Sequence, residues 1–248
     1  MCRHLAALGN PVAADLLFDA PHALRDQART PKHQPVGRTN PDGWGAAWYP
    51  RSSPVGATPE HYRTVTSIWD DRAFVDTARA IECRTLIAAA RLASPGLTLA
   101  ATSNAPFVAG KWAFSLNGHV EGFDGHVGRA LRDAISPPRA ATLQSDTDSE
   151  VLFALVLDQL AVGITPGGMA PADALAAVMH RVTAITTGRV NLLLTDGDAV
   201  YATRWGNSLF PCGSVVASEP LDDTTNWTEV PDHSLVVVDS DDTRITPL

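Results

Sequence analysis

Lysine is almost missing from this 248-residue chain: of its 19 basic residues, only Lys32 and Lys111 are lysine. Lys and Arg nowhere gather into a patch, and 27 acidic residues leave a net charge of −8. A protein that reads the phosphate backbone needs a basic face, so no nucleic-acid partner is expected. Long apolar runs are missing too. None approaches the roughly 18 residues that a membrane span requires, so no membrane partner is expected. The apolar patch before Pro11 is too short for a signal-peptide core, and the expected location is the cytoplasm. Cysteine is scarce: Cys2, Cys83 and Cys212 are odd in number and widely spaced, which is no disulfide framework. Without a CxxC or an HxxxH, a structural zinc site has little support. Nothing in the sequence calls for a metal or an organic cofactor, and nothing bears on oligomeric state.

What is present is an ordinary globular composition, 45% hydrophobic and 19% charged. The length suits one large domain or two small ones and is enough to bury a core without cross-links. Residues 30–43 and 51–59 are rich in Pro, Gly, Asn and Ser and read as loops. Between them, Gly43–Tyr49 reads as a strand closed by Pro50. Helical spacing over Arg72–Ile81 puts Phe74, Val75, Ala78 and Ile81 on one face. Strands are expected at Thr85–Arg91 and Lys111–Leu116, the second ended by the turn dipeptide Asn117-Gly118. A short helix is expected over His126–Ile135.

The clearest helix is Glu150–Val162, with an apolar stripe of Leu152, Leu155, Val156 and Leu160. Ser145, Asp146 or Asp148 is expected to cap it, and Gly163 to end it. Another runs from Pro171 to Thr187, with Gly188 as its C-terminal cap. Beyond it the pattern changes to strands: Val190–Thr195 and Ala199–Trp205 flank the hairpin signal Asp196-Gly197-Asp198. Val215–Ala217, Leu235–Asp239 and Thr243–Thr246 follow. Strands at the start, middle and end with helices between them do not give the regular alternation of a doubly wound fold. Two sheets carrying helices on their outer faces fit.

Four features carry chemistry. Met1 precedes a small residue, so its removal would leave Cys2 with both a thiol and a free α-amine. Such an amine, with a pKa of roughly 7.7–8.0, can act as base for its own thiol and then protonate a leaving amine. Arg91, after an apolar strand, suits a carboxylate because a guanidinium donates two parallel hydrogen bonds. The Asn117 side-chain amide and the Gly118 N–H suit the oxyanion of a tetrahedral intermediate. Asp148, at a helix start, suits an ammonium. Taken singly, each has a plain structural reading: an incidental thiol, a surface charge, a turn and a helix cap. Together they supply what hydrolysis of the γ-amide of a glutamine-like group needs.

These residues carry a resemblance. Met1-Cys2-Arg3-His4-Leu5 resembles the opening of the class II glutamine amidotransferases, which are N-terminal-nucleophile (Ntn) hydrolases. Asn40-Pro41-Asp42-Gly43-Trp44-Gly45, Arg91, Asn117-Gly118, Thr147-Asp148-Ser149-Glu150 and Ala217-Ser218-Glu219-Pro220-Leu221 follow in the order the family has them. The resemblance implies an α+β fold, a four-layer αββα sandwich of two antiparallel sheets between helical layers, as one domain over residues 2–248. It implies Cys2 as nucleophile and base, Asn117 and Gly118 as oxyanion hole, and Arg91, helped by Ser94, as holder of the substrate α-carboxylate. Asp148, with the Gly118 carbonyl, would hold the α-ammonium. The Asp42–Gly45 stretch would be a structural strand, its glycines allowing close backbone approach.

The chain departs from the family's pattern at two positions, where Ala89 and Leu116 stand in place of frequent histidines. Its compact form resembles the branch that serves ergothioneine biosynthesis by cleaving a small γ-glutamyl substrate. Other readings stay open at this point: a glutaminase subunit supplying ammonia to a separate synthetase, a non-catalytic glutamyl-binding protein, or a Cys–His hydrolase using one of the eight histidines. Trp44, Trp205 and Trp227 are candidates for the walls of the pocket that receives the amine half.

Overall fold

The computed structural model describes residues 2–94, 99–161 and 168–248. Among the described residues, twelve strands make two six-stranded antiparallel sheets. The first contains β1 (Cys2–Leu8), β2 (Trp44–Pro50), β3 (Glu60–Thr64), β4 (Cys83–Arg91), β9 (Phe210–Cys212) and β10 (Val215–Ala217), in the order β3-β2-β4-β1-β10-β9. The second contains β5 (Phe107–Ala109), β6 (Trp112–Val120), β7 (Gly188–Thr195), β8 (Val200–Arg204), β11 (Ser234–Val238) and β12 (Thr243–Pro247), in the order β12-β11-β8-β7-β6-β5.

Side chains alternate between the faces of a strand, and three apolar clusters fill the faces accordingly. Ala6, Leu8, Ile87, Ala113, Leu193 and Val236 pack between the sheets. Leu5, Ala7, Trp44, Ala46 and Ala88 face outward from the first sheet, against a wide helical turn at Asp15–Asp19, α1 (Leu24–Arg29) and α2 (Arg72–Ala80). Phe114, Leu116 and Leu192 face outward from the second, against α3 (His126–Asp133), α5 (Asp148–Ala161) and α6 (Pro171–Thr183). A short α4 (Pro137–Ala140) lies beside α5. The expected αββα sandwich is the architecture observed, and the helix over residues 72–80 and the hairpin through Asp196–Asp198 form as expected.

Four local expectations are corrected. Asn117-Gly118 is not a turn: β6 runs through it to Val120, pairing Asn117 with Asn191 and Gly118 with Val190. Gly118 has φ +146°, and a Cβ there would overlap the Arg189 carbonyl oxygen, so the glycine serves close strand approach rather than chain reversal. The cap of α5 is none of the three residues expected. Thr147 Oγ1 accepts the Glu150 N–H at 3.2 Å, and the Glu150 carboxylate reaches back to the N–H groups of Gln144 and Ser145. This is a variant of the reciprocal Thr-x-x-Glu box. Helix α6 stops at Thr183, and Gly188 opens β7 instead of capping it. The expected stop at Gly163 lies outside the described residues.

Candidate active site

Strand register gathers the site. Cys2 pairs with Arg91 across β1 and β4. Cys2 shares the inner face of β1 with Ala6 and Leu8, and Arg91 shares the inner face of β4 with Ile87. On β6 the inner face carries Ala113, Ser115 and Asn117. All three lines of side chains therefore meet between the sheets at one end of the sandwich. The Cys2 backbone N–H donates to Asn117 Oδ1 across the gap at 3.2 Å.

Each member is held by its neighbours. Asn117 is fully buried; its Nδ2 donates to Ser218 Oγ at 3.1 Å, and the same hydroxyl accepts the His4 N–H at 3.0 Å. Arg91 is buried, with its N–H on the Gly43 carbonyl, its carbonyl accepting the Asp42 N–H, and its Nη1 on Asn104 Oδ1 at 3.2 Å. A Cβ at Gly43, where φ is +106°, would overlap Asn104 and the Thr64 carbonyl. The close backbone approach expected of the Asp-Gly-Trp-Gly stretch is thus present, but only Trp44 and Gly45 belong to the strand, and Asp42-Gly43 leads into it. Trp44 is no pocket wall: it lies in the outward cluster, edge-on to Phe18 and Phe74, with its indole N–H on Asp71.

Asp148 reaches the site from the start of α5. One carboxylate oxygen accepts the Val120 N–H at 3.0 Å and the other the Ser149 N–H at 2.7 Å. Burial pushes its carboxyl above the ordinary aspartate range, against the pull of these two donors. Edge strand β5 pairs only with residues 112–114 of β6, so the rest of that edge is left open toward Asp148. In an antiparallel ladder, alternate pairs exchange hydrogen bonds. The Val190 and Leu192 N–H groups turn to the β8 side, onto Trp205 O and Thr203 Oγ1. Gly118, opposite Val190, therefore turns its own N–H and carbonyl away from β7, to the side where Asp148 sits.

Cys2, Arg91, Asn117, Gly118 and Asp148 thus come together. Ser94 lies exposed just beyond β4 and makes no hydrogen bond to the cluster among the described residues. Met1, whose removal would free the Cys2 amine, lies outside them. The two departures from the family pattern separate cleanly. Leu116 faces the helical layer, away from the site, whereas Ala89 pairs with His4 on the inner face. His4 Nδ1 lies 3.2 Å from Ser115 Oγ, and burial beside Arg3 pushes its pKa down to about 3. This imidazole stays neutral at physiological pH. Its Nδ1 is on Ser115, its Nε2 has no partner, and no hydrogen bond joins it to the Cys2 thiol among the described residues.

Sequence reasoning missed the supporting residues. Arg3 and Glu219 form a buried ion pair of 2.8 Å, and Arg3 Nε donates to the Cys2 carbonyl at 2.8 Å. Glu219 also accepts the N–H groups of Lys32 and His33, tying the loop over residues 30–43 to β1. Glu219 and Ser218 stand in the Ser-Glu-Pro-Leu motif, which marked them without revealing their partners. Asn207 carried no signal; its Nδ2 donates to the Asn117 carbonyl at 2.9 Å and to Asn117 Oδ1 at 3.3 Å. Trp227 lines a cleft of about 250 Å³ with His22, Lys32 and Asp223, and Trp205 stacks on His233 at 3.9 Å. Among the described residues no cluster of His, Cys, Asp or Glu suits a metal ion, and no helix is long and apolar enough to cross a membrane.

A four-layer sandwich with a cysteine at the mouth of its inner strands matches what comparison finds. The model of the class II glutamine amidotransferases matches residues 1–210. The chain belongs to this family of enzymes. It is 34% identical to the γ-glutamyl-hercynylcysteine sulfoxide hydrolase of Mycolicibacterium smegmatis, with all of both chains covered. To the Mycobacterium tuberculosis protein of the same name it is 33% identical, over all of this chain and 97% of that one. Among solved structures, a protein from Silicibacter pomeroyi described as a glutamine aminotransferase class-II domain protein superposes with a TM-score of 0.69 at 23% identity, covering 99% of each chain.

Proposed function

We propose that this enzyme hydrolyses a γ-glutamyl amide with Cys2 as N-terminal nucleophile, and that its substrate is γ-glutamyl-hercynylcysteine sulfoxide, an intermediate of ergothioneine biosynthesis. The observation that carries the mechanism is the meeting of Cys2, Arg91 and Asn117 on the inner faces of three strands, with Asp148 at the open edge of β6. The substrate rests on two relatives of that name that match this chain from end to end.

Removal of Met1 turns the Cys2 N–H into an α-amine. The neutral amine takes the thiol proton, and the thiolate adds to the γ-carbonyl. The carbonyl π pair moves to oxygen, where the Asn117 Nδ2–H and the Gly118 N–H stabilise it. Collapse expels the amine half, which takes the proton from the α-ammonium, and leaves a γ-glutamyl thioester. Water, activated by the same amine, adds to the thioester and releases glutamate. Arg91, assisted by Ser94, holds the α-carboxylate as a bidentate pair. Asp148 and the Gly118 carbonyl hold the α-ammonium. One domain over residues 2–248 carries the whole reaction, in the cytoplasm, on a small-molecule substrate.

The test is glutamate release from the sulfoxide conjugate and from glutamine, side by side, on protein whose intact mass shows Met1 removed. A strong preference for the conjugate is expected, and Cys2→Ala abolishes release. Preference for glutamine overturns the substrate and points to an ammonia-supplying subunit. Full activity with Met1 retained, or in Cys2→Ala, overturns the mechanism.

A further inference from the structure

We propose that Asn207 is a positioning residue that fixes which way round the Asn117 amide stands, and so keeps its Nδ2–H aimed for the oxyanion. The inference rests on the oxyanion-hole role given to Asn117 above. Three asparagines, all buried, stand in line: Asn191, Asn207 and Asn117. Asn191 pairs with Asn117 across β7 and β6. Its Oδ1 accepts the N–H of Trp205 at 2.8 Å and of Asn207 at 3.4 Å, and its Nδ2 donates to the carbonyls of Asn207 and Ser208 at 3.1 and 3.2 Å. The turn after β8 is thereby pinned, and it presents Asn207 Nδ2 to both oxygens of Asn117.

A side-chain amide has two orientations that differ only in where the donor and the acceptor lie. Among the described residues, three groups touch the Asn117 amide. Ser218 Oγ can accept from it or donate to it, so the hydroxyl selects neither orientation. The Cys2 nitrogen is an obligate donor as a peptide N–H, but a neutral α-amine both donates and accepts. While the freed amine is neutral, the Asn207 NH2 group is, among the described residues, the one unambiguous donor facing Asn117 Oδ1, so it sets the resting orientation before the α-ammonium formed from the thiol proton can donate there as well. Asn207 itself cannot turn over, because its Oδ1 would then face two acceptor oxygens. Its Oδ1 is left buried without a hydrogen-bond partner among the described residues. A buried orphan acceptor is costly, and here it follows from holding the NH2 end toward Asn117.

The near-isosteric Asn207→Asp reverses the demand: a carboxylate facing Asn117 needs a donor, so the amide turns and Oδ1 takes the oxyanion position. Losing an oxyanion-hole donor costs about 10²–10³ in kcat. An interaction made only in the transition state is lost, so KM holds. Asn207→Ala imposes neither orientation and loses roughly twofold or more through sampling of both. The experiment measures kcat and KM for glutamate release in Asn207→Asp, Asn207→Ala and Asn117→Ala. It also measures the affinity of each for glutamate and for glutamate γ-semialdehyde. The aldehyde accepts the Cys2 thiolate at its carbonyl carbon and places the resulting oxyanion in the hole, whereas glutamate fills only the head-group site.

The expected result is a kcat loss in Asn207→Asp larger than in Asn207→Ala, with aldehyde affinity falling in parallel and glutamate affinity unchanged. If Asn207→Asp does not fold, Asn207→Ala alone must show lower kcat and aldehyde affinity at constant KM and glutamate affinity. Parallel losses of aldehyde and glutamate binding, or an unchanged kcat, overturn the proposal. Full activity in Asn117→Ala would instead overturn the oxyanion-hole reading itself, while loss there with unchanged Asn207 variants overturns only this inference.

Discussion

Replacing Glu219 by Ala tests how β1, the strand that carries Cys2, is anchored. The Glu219 carboxylate is 3% exposed and its partner guanidinium on Arg3 is 0% exposed, so neither charge is screened by water. Burial pulls the Arg3 pKa below its ordinary value, and the Glu219 charge and hydrogen bond oppose that pull. Deleting the carboxylate strands the Arg3 charge and also orphans the Lys32 and His33 N–H groups. Breaking one side of a buried pair costs about 3–5 kcal/mol. At about 2–4 °C per kcal/mol for a chain of this size, the midpoint should drop by roughly 6–20 °C in a calorimetric scan. Activity should fall as well, because Arg3 Nε holds the Cys2 carbonyl. The double replacement Arg3→Met with Glu219→Leu removes both charges and should recover the part of the stability lost to the stranded guanidinium, but neither the acceptors of the Lys32 and His33 N–H groups nor the anchor on Cys2. A loss below about 1 kcal/mol in Glu219→Ala, the value of an exposed pair, would refute the argument that this pair is desolvated.

Gly118→Ala places a Cβ on the Arg189 carbonyl, and the strands must part. Overpacking of this kind costs about 1–3 kcal/mol, read as a lower midpoint, and kcat should fall with it. The raised pKa of Asp148 gives a pH signature. Only the carboxylate holds an ammonium, so KM for glutamate release should climb as pH falls through that raised pKa, earlier than an ordinary aspartate would allow. Asp148→Asn should show a high KM and lack that rise. Thr147→Val removes the Oγ1 that accepts the Glu150 N–H, and loss of such a cap costs about 1 kcal/mol in thermal unfolding.

What the sequence made legible was local or carried by ordered motifs. Helix α2, strands β2 and β4 and the hairpin of β7 and β8 have periodicity or turn chemistry of their own. Strand β3, Glu-His-Tyr-Arg-Thr, has almost no apolar alternation because it lies at a sheet edge, half in solvent. Asn117-Gly118 misled because the dipeptide that favours turns also lets two backbones approach, and only the β7 partner decides between these uses. The residues that could contact substrate were visible as motifs. Those that brace them were not: Glu219 is 216 positions from Arg3, and Asn207 is 90 from Asn117. Such pairs are satisfied by topology, which no local window contains.

The register of β1 brings these strands together. Sliding a strand by one residue exchanges its two faces, which would turn Cys2 outward and away from Asn117. The apolar part of the strand does little to prevent this. Leu5-Ala6-Ala7-Leu8 reads the same in both directions, with one leucine and one alanine on each face: Leu5 and Ala7 outward, Ala6 and Leu8 inward. A slipped strand would again bury one of each on either side. Discrimination falls to Arg3 and His4. Arg3 finds Glu219 on the outer side, and His4 finds Ser115 between the sheets. A slip would leave a guanidinium between apolar sheets and an imidazole without its hydroxyl, each far costlier than exchanging a leucine for an alanine. Burying two polar side chains beside the thiol therefore sets the register, and the register is what holds Cys2 opposite Arg91 and within reach of Asn117.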